Sequence, residues 1–443
     1  MQNLKTDITN TQQTHEHPTL SFEDIVNYFY GNTKPNSEMK VGMEIERLPM
    51  QKDSLSQTSY FGESGVKRIL ETFRDKYNWE PIEENNFLLG LQKGNLKITL
   101  EPGAQTEISS GTHFYISQIE KEILEVEKKL DEIADEFGTK FFSVGVSPID
   151  TYSSIKLIPK KRYYIMSELL SGKLAKVMMR ETAGIQVALD YTSEKDAMKK
   201  LKIALMLSPF TLAMFSNSPV HMKKASGFKS FRATAWLDTD NKRCGLVSDK
   251  IFSNNENCFD FEQYAKRILE IPVLYFQRGG SYIIPQKKLS FADFISTGYD
   301  EFFPTMDDFL LHLNLFFPDV RLREYIELRN HDSLPAEFKF APGALYKGIL
   351  YSDSASDKIL ELFEDFEYSD FEFLRKTVPQ NGMQTEIKGK TALEYSNKIL
   401  EIAKDSLSKT NDSDAHYLEP IQQLIRSGKV PSDITLKEFE KIL

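Results

Sequence analysis

The sequence predicts an α+β fold in one large domain, on three observations. Strand-like runs alternate with amphipathic helices over the first three quarters of the chain. Beyond about Pro342 the pattern becomes helical and acidic. No Pro/Gly/Ser-rich linker and no internal repeat divides the 443 residues, although that length alone allows two or three domains. Residues 1–20 read as a flexible N-terminal extension, rich in Gln, Thr, Asn and His and without an apolar run. Residues 21–443 read as the folded unit, with a helical C-terminal part over 342–443.

The elements follow in order. Ser21 caps a first helix, with Asp24 at the capping-box spacing. Residues 41–47 alternate as a strand. Within 64–77, Val66, Ile69, Leu70 and Phe73 share one helical face. Residues 87–91 and 96–101 are strands. The clearest helix spans 117–137, where Ile119, Ile123, Val126, Leu130, Ile133 and Phe137 recur every three or four positions and Gly138 follows as a C-cap. Residues 141–146 form a short apolar strand. Residues 184–191 alternate again, and Ser193 with Asp196 opens a helix reaching Met214, with a kink at Pro209. Residues 231–237, 282–285 and 323–329 are further strand candidates.

Composition narrows the class. At 40% hydrophobic and 27% charged residues, the chain is an ordinary globular protein and not collagenous, disulfide-stapled or disordered. Its net charge of −10 argues against a general binder of nucleic acid or anionic membrane. Cys244 and Cys258 are the only cysteines. They match no metal spacing and point to a reducing compartment, with the cytoplasm as the expectation. The most apolar stretch, 203–215, is too short to span a bilayer and contains Pro209.

The chemistry lies in the polar faces of the strands. In GMEIER, Glu44 and Glu46 share one face while Met43 and Ile45 share the other. Adjacent carboxylates repel, so such a face is either wet or bridged by a cation. In LKITLEPGAQTEIS, Thr99 and Glu101 oppose Ile98 and Leu100, and Gln105 and Glu107 recur at spacing two. In AGIQVALDY, Gln186, Ala188 and Asp190 oppose Ile185, Val187 and Leu189. In REYIELRNHD, Tyr325, Glu327 and Arg329 oppose Ile326 and Leu328. One sheet carrying all four faces together gathers Glu44, Glu46, Glu101, Glu107 and Glu327. Hard oxygen ligands of this kind suit Mg2+ rather than Zn2+.

Basic partners come from PKKRYYIM, with Lys160, Lys161 and Arg162, and from FRATAWLDTDNKRCG, with Arg232, Trp236 and Arg243. Arginine forks bind carboxylates and phosphates bidentately. Acids for Mg2+ together with arginines are the parts of a phosphoryl-transfer site. Walker, protein-kinase and Rossmann signatures are absent from the sequence, so a nucleotide would bind on the sheet. Taken singly, each cluster also fits a solvated surface.

These segments resemble the glutamate–cysteine ligases of the plant and proteobacterial type. The matches are GMEIER, ITLEPGAQTEIS, PKKRYYIM, TAGIQVALDYTSEKDAMKKLKIALMLSPFTLAMFSNSP, FRATAWLDTDNKRCGL, YIELRNHD and YLEPIQQLIRSGKVPSD. They run in order from about residue 21 to 433. The resemblance implies a mainly antiparallel, glutamine-synthetase-like sheet curved into a cup and flanked by helices. It implies ATP and a divalent cation, Mg2+ or Mn2+, with glutamate and cysteine as substrates. The reaction would form γ-glutamyl phosphate and then γ-glutamylcysteine, the first step of glutathione biosynthesis. By the same resemblance Glu44, Glu46, Glu101, Glu107 and Glu327 look like metal-binding acids, and Arg232 and Arg329 like catalytic anion-binding arginines. Arg162, Tyr163, Gln186, Trp236 and Arg243 look like substrate or nucleotide contacts. The partners implied are small molecules only, with no nucleic acid and no membrane, in a monomer or homodimer.

Three positions depart from the family pattern. Ala188 stands where the family has Asn, Ala104 replaces the second Gly of LEPGGQ, and Arg180-Glu181-Thr182 replaces Leu-Arg-Thr. They motivate a second reading, a related carboxylate–amine ligase with another acceptor. A catalytically silent relative and a two-carboxylate glycosidase are further alternatives.

Overall fold

The computed structural model describes residues 20–253, 258–409 and 413–441. The extension expected over residues 1–20 lies almost wholly outside them. The centre of the molecule is a nine-stranded sheet. Its strands are β1 (Val41–Gln51), β2 (Glu80–Glu84), β3 (Phe87–Lys93), β4 (Leu96–Leu100), β5 (Thr106–Ser109), β6 (Thr139–Phe142), β7 (Gly184–Leu189), β8 (Val320–Leu322) and β9 (Ile326–Asp332). The order is β8–β9–β7–β1–β5–β4–β3–β2, and every neighbouring pair is antiparallel. β6 pairs with the far end of β1. Thus β1, the longest strand, is shared between three partners.

Alternation decides what each strand buries. Met43, Ile45, Ile98, Leu100, Ile108, Ile185, Val187, Leu189, Ile326 and Leu328 are all buried in one core. The first helix is α1 (Phe22–Gly31), and α2 (Val66–Tyr77), α3 (Ile116–Glu136) and, after two shorter ones, α6 (Glu194–Met214) cover this face. The shorter two are α4 (Lys161–Leu169) and α5 (Ala175–Glu181), followed beyond α6 by α7 (Phe231–Leu237). The helices α3 and α6 pack on the sheet, as does α11 (Ala341–Leu350). Between α7 and α11 lie α8 (Phe261–Leu269), α9 (Phe291–Thr297) and α10 (Met306–Asn314). After α11 come α12 (Asp353–Leu362), α13 (Tyr368–Asn381), α14 (Ala392–Lys409), α15 (Glu419–Arg426) and α16 (Pro431–Phe439). No helix among the described residues is long and apolar enough to cross a membrane.

The Ser21/Asp24 capping box forms as expected, and Gly138 takes a φ of +67° just beyond α3. A buried charge cluster ties the sheet to the C-terminal helices. Lys339, just before α11, donates to both oxygens of Glu127 on α3 at 2.5 Å. Arg47 of β1 lies 3.3 Å from the same Glu127 and donates to Asp131 at 2.9 Å.

Four expectations change. The short strand expected at 141–146 is instead β6, Thr139–Phe142, and the chain leaves the sheet after Phe142. The candidate strand 231–237 is the helix α7. Ser230 Oγ accepts the Ala233 N–H at 3.1 Å and so nucleates a helix. The candidate at 282–285 reduces to Ser281–Ile283, in a separate two-stranded ribbon with Phe276–Arg278. The candidate at 323–329 shifts to Ile326–Asp332, because Arg323 to Tyr325 make the turn from β8. The helix from Ser193 continues through Pro209 to Met214.

Candidate active site

The polar face of the sheet, opposite the core, opens into a cavity of about 370 Å³ closed by α4, α5, α7 and α10. Strand register builds its acidic side. Glu46 of β1 stands opposite Glu107 of β5, which stands opposite Thr99 of β4. Glu44 faces Gln186 of β7 across the other edge of β1. Glu101 follows the last residue of β4, in the turn to β5. All five acids expected from the sequence line this one cavity.

The acids fall into two electrostatic groups. Glu46, Glu101 and Glu107 take their hydrogen bonds from neutral donors, and Glu44 stands in the same group. Thr99 Oγ1 donates to Glu107 at 2.7 Å and Gly184 N to Glu46 at 2.6 Å, while Tyr163 OH lies 3.5 Å from Glu101. Burial and then the neighbouring carboxylates push Glu44 and Glu46 up to about 7, and Glu107 well above the usual range. Glu327 is the opposite case. Burial would raise it, but Arg321 Nε donates to it at 2.6 Å and Arg329 lies 3.4 Å away, so it is held at about 2. Its charge is already matched by protein cations.

The uncompensated group is the donor set a hard divalent cation takes. Among the described residues no three His, Cys, Asp or Glu side chains gather tightly enough to hold an ion alone.

The facing wall is cationic and short of acceptors. Arg232 Nη2 donates to Arg329 O at 2.9 Å, but its Nε and Nη1 are buried without a hydrogen-bond acceptor, Asp332 coming no nearer than 4.0 Å. Trp236 Nε1 and Arg162 Nε are in the same condition. The guanidinium groups of Arg232 and Arg329 each lie 5.9 Å from the Trp236 ring. Arg329 also donates to Gln186 Oε1 at 2.7 Å. Buried donors without acceptors call for an anionic ligand.

Residues 40–441 match the model of glutamate–cysteine ligase family 2. The chain belongs to that family. It is 31% identical over 426 residues to glutamate–cysteine ligase A, chloroplastic, of Oryza sativa subsp. japonica, covering 95% of this chain and 85% of the relative. The chloroplastic glutamate–cysteine ligase of Arabidopsis thaliana is 30% identical over 425 residues, covering 95% of this chain and 80% of the relative. The fold is similar to a crystal structure of a glutamate–cysteine ligase from Francisella tularensis in complex with AMP. The TM-score there is 0.53 at 12% identity, covering 92% of this chain and 85% of the other. The mainly antiparallel sheet flanked by helices, implied by the sequence, is the observed architecture.

Within this family member, Arg162, Tyr163, Gln186, Arg232, Trp236 and Arg329 all line the cavity. Arg243 does not. It is buried elsewhere, with its guanidinium on Leu315 O, Pro272 O and Asp240, so it braces the loop that presents Leu315. Arg180 and Glu181 also turn away. Arg180 donates to Tyr152 O and Ser167 Oγ, and Glu181 pairs with His221 at 2.7 Å. Ala104 lies under the turn rather than on the cavity wall, at a φ of +69°. Ala188 stands between Gly42 and Glu327 in the register, beside the arginine-matched acid. Sequence reasoning passed over Arg321 and Arg323. The alternation in VRL, where Val320 and Leu322 are buried apolar flanks, was the available signal for Arg321.

Proposed function

We propose that this chain joins the γ-carboxylate of L-glutamate to the amino group of L-cysteine, spending ATP, as the first step of glutathione biosynthesis. The observation that carries the reading is one cavity with uncompensated acids on one wall and acceptor-poor guanidinium groups on the other. Those are the two charge arrangements that an ATP-dependent ligation requires. The family assignment supplies the substrates.

The glutamate γ-carboxylate attacks the γ-phosphorus of ATP, and ADP leaves with the bridging electron pair. The cysteine amine then attacks the acyl phosphate, phosphate leaves, and the amine proton passes to solvent. Arg232 and Arg329 orient the anionic groups and take up charge as it builds on the phosphoryl oxygens. Carboxylates from the wall of Glu44, Glu46, Glu101 and Glu107 would hold a divalent cation, Mg2+ or Mn2+, together with the substrate phosphates, and the cation when bound would neutralise phosphate charge. Glu327 keeps Arg321 and Arg329 in register with the sheet. Arg162, Tyr163 and Trp236 close the pocket wall.

The partners in this reading are small molecules, in keeping with the net charge of −10. Two free cysteines, with Cys244 pushed up to about 12 by burial, fit a reducing cytoplasmic setting. Phosphate release from Mg·ATP with L-glutamate, across a panel of amines including L-cysteine, tests the proposal. Cysteine-dependent turnover yielding γ-glutamylcysteine is expected, falling at least 100-fold in Glu44→Gln, a loss of order that for a charge-stabilising group. Turnover with a different amine only would replace the acceptor, and no turnover with any pair would overturn the reading.

A further inference from the structure

The support of Arg232 reaches far beyond the cavity. Arg232 is the second residue of α7, and Ser230 caps that helix. Ser230 Oγ in turn donates to Asp332 Oδ1 at 2.9 Å. Ser218 Oγ donates to Asp332 Oδ2 at 2.6 Å and accepts the Arg232 backbone N–H at 3.1 Å. Asn217 N–H donates to the same Oδ2 at 2.7 Å. The Arg232 guanidinium itself comes within 4.0 Å of Asp332. Asp332 is 1% exposed, and Gly145 leaves its carboxylate room, since a Cβ there would lie 2.5 Å from Cγ. One buried carboxylate therefore organises both the helix start and the arginine it carries.

The same network continues to the end of the chain. Asn217 donates to Ser143 O and Ser333 O and accepts from Thr435 Oγ1 at 2.6 Å. Thr435 lies on α16. Two more bonds dock that helix on the same loops: Ser432 N to Ser216 O at 2.9 Å, and Lys229 Nζ to Asp433 at 2.5 Å. Lys229 adjoins the cap Ser230. Residues 216–218, 229–230, 332 and 432–435 are thus one continuous hydrogen-bonded block behind Arg232.

We propose that Asp332 is a positioning residue for Arg232, and that Asn217 and the C-terminal helix, through Thr435, complete its support. The proposal rests on the ligase reading for Arg232's role, but not for the existence of the block. Misplacing a charge-stabilising group by a fraction of an ångström lowers the rate without unfolding the protein.

The test uses the full chain in a Trp79→Phe background, which leaves Trp236, against the Arg232 guanidinium, as the sole tryptophan. Thr435→Val, Thr435→Ser and Asp332→Asn are compared for kcat and KM toward L-glutamate, for Trp236 emission and for Tm. Thr435→Val is expected to lower kcat/KM about tenfold well below its Tm, and Asp332→Asn about 100-fold, magnitudes typical of lost orientation. Thr435→Ser, which keeps the hydroxyl, is expected within twofold of the parent, and the Trp236 emission maximum moves in the two damaging variants only. Unchanged kinetics and emission in Thr435→Val and Asp332→Asn would overturn the proposal, as would a loss that merely tracks the folded fraction. If Asp332→Asn fails to fold, Thr435→Val decides. If the parent shows no turnover, the ligase reading fails separately and Trp236 emission in Thr435→Val still decides this one: a shift supports it, an unchanged spectrum overturns it.

Discussion

Two small residues near the cavity make opposite demands on the backbone. Ala104 holds a φ of +69° while its N–H donates to Glu101 O at 2.8 Å. A side chain in that region costs about 1–2 kcal/mol. Glycine would relieve this at an unfolded-state cost of about 0.4–1 kcal/mol. Ala104→Gly is therefore expected to stabilise the protein by roughly 0.5–1 kcal/mol with kcat unchanged, as read by chemical denaturation and turnover. Gly184 is the reverse case. A Cβ there would lie 2.5 Å from Arg232 Nη2 and 2.8 Å from His331 O. Gly184→Ala displaces the guanidinium, so turnover should fall more than 10-fold, an orientation loss; retained activity would place Arg232 outside the reaction.

The strand β1 shows how an element carries charge that the fold itself disfavours. Glu44 and Glu46 lie on one face of it, pushed up to about 7 by burial and by their acidic neighbours. Unfolded, each titrates near 4.5. Between these values the folded state binds more protons, so stability falls as pH rises from about 5 to 8. A divalent cation held at this face would remove that penalty. Thermal melts of metal-free protein should show Tm decreasing over this range, with Mg2+ restoring it most at pH 8. Glu46→Gln should flatten the metal-free curve, and a flat wild-type curve unmoved by Mg2+ would contradict the cation assignment.

The acidic faces were legible because strand period two separates Glu44 and Glu46 from Met43 and Ile45 whatever the rest of the fold does. The order of strands was not, since register depends on partners more than 100 residues apart. FRATAWL has the pattern of a strand because it is short, and the cap bond to Ser230 that makes it helix α7 is invisible to a periodicity count. Arg243 looked like a ligand contact because burial of its guanidinium on carbonyls at 272 and 315 is a tertiary fact.

At the scale of the whole molecule, buried charge ties distant parts of the chain together. Lys339 joins the approach to α11 to Glu127 on α3, and Arg47 joins the same acid to β1. Removing one member leaves an under-compensated buried carboxylate, which costs about 3–5 kcal/mol. Lys339→Met should lower the urea midpoint accordingly at an unchanged m-value; a shift under about 0.5 kcal/mol would mean the cluster is solvated. The sheet order also sets a timetable for synthesis. β1 has its hairpin-side partner β5 within 65 residues, but its other edge waits for β7 at residues 184–189, and the cavity's arginine wall waits for β9 at 326–332. At roughly 5–20 residues per second, a growing chain presents one open edge of β1, with its carboxylates, for many seconds before a neighbour exists to cover it. The strand that carries Glu44 and Glu46 is thus also one that stands open to mispairing on the ribosome.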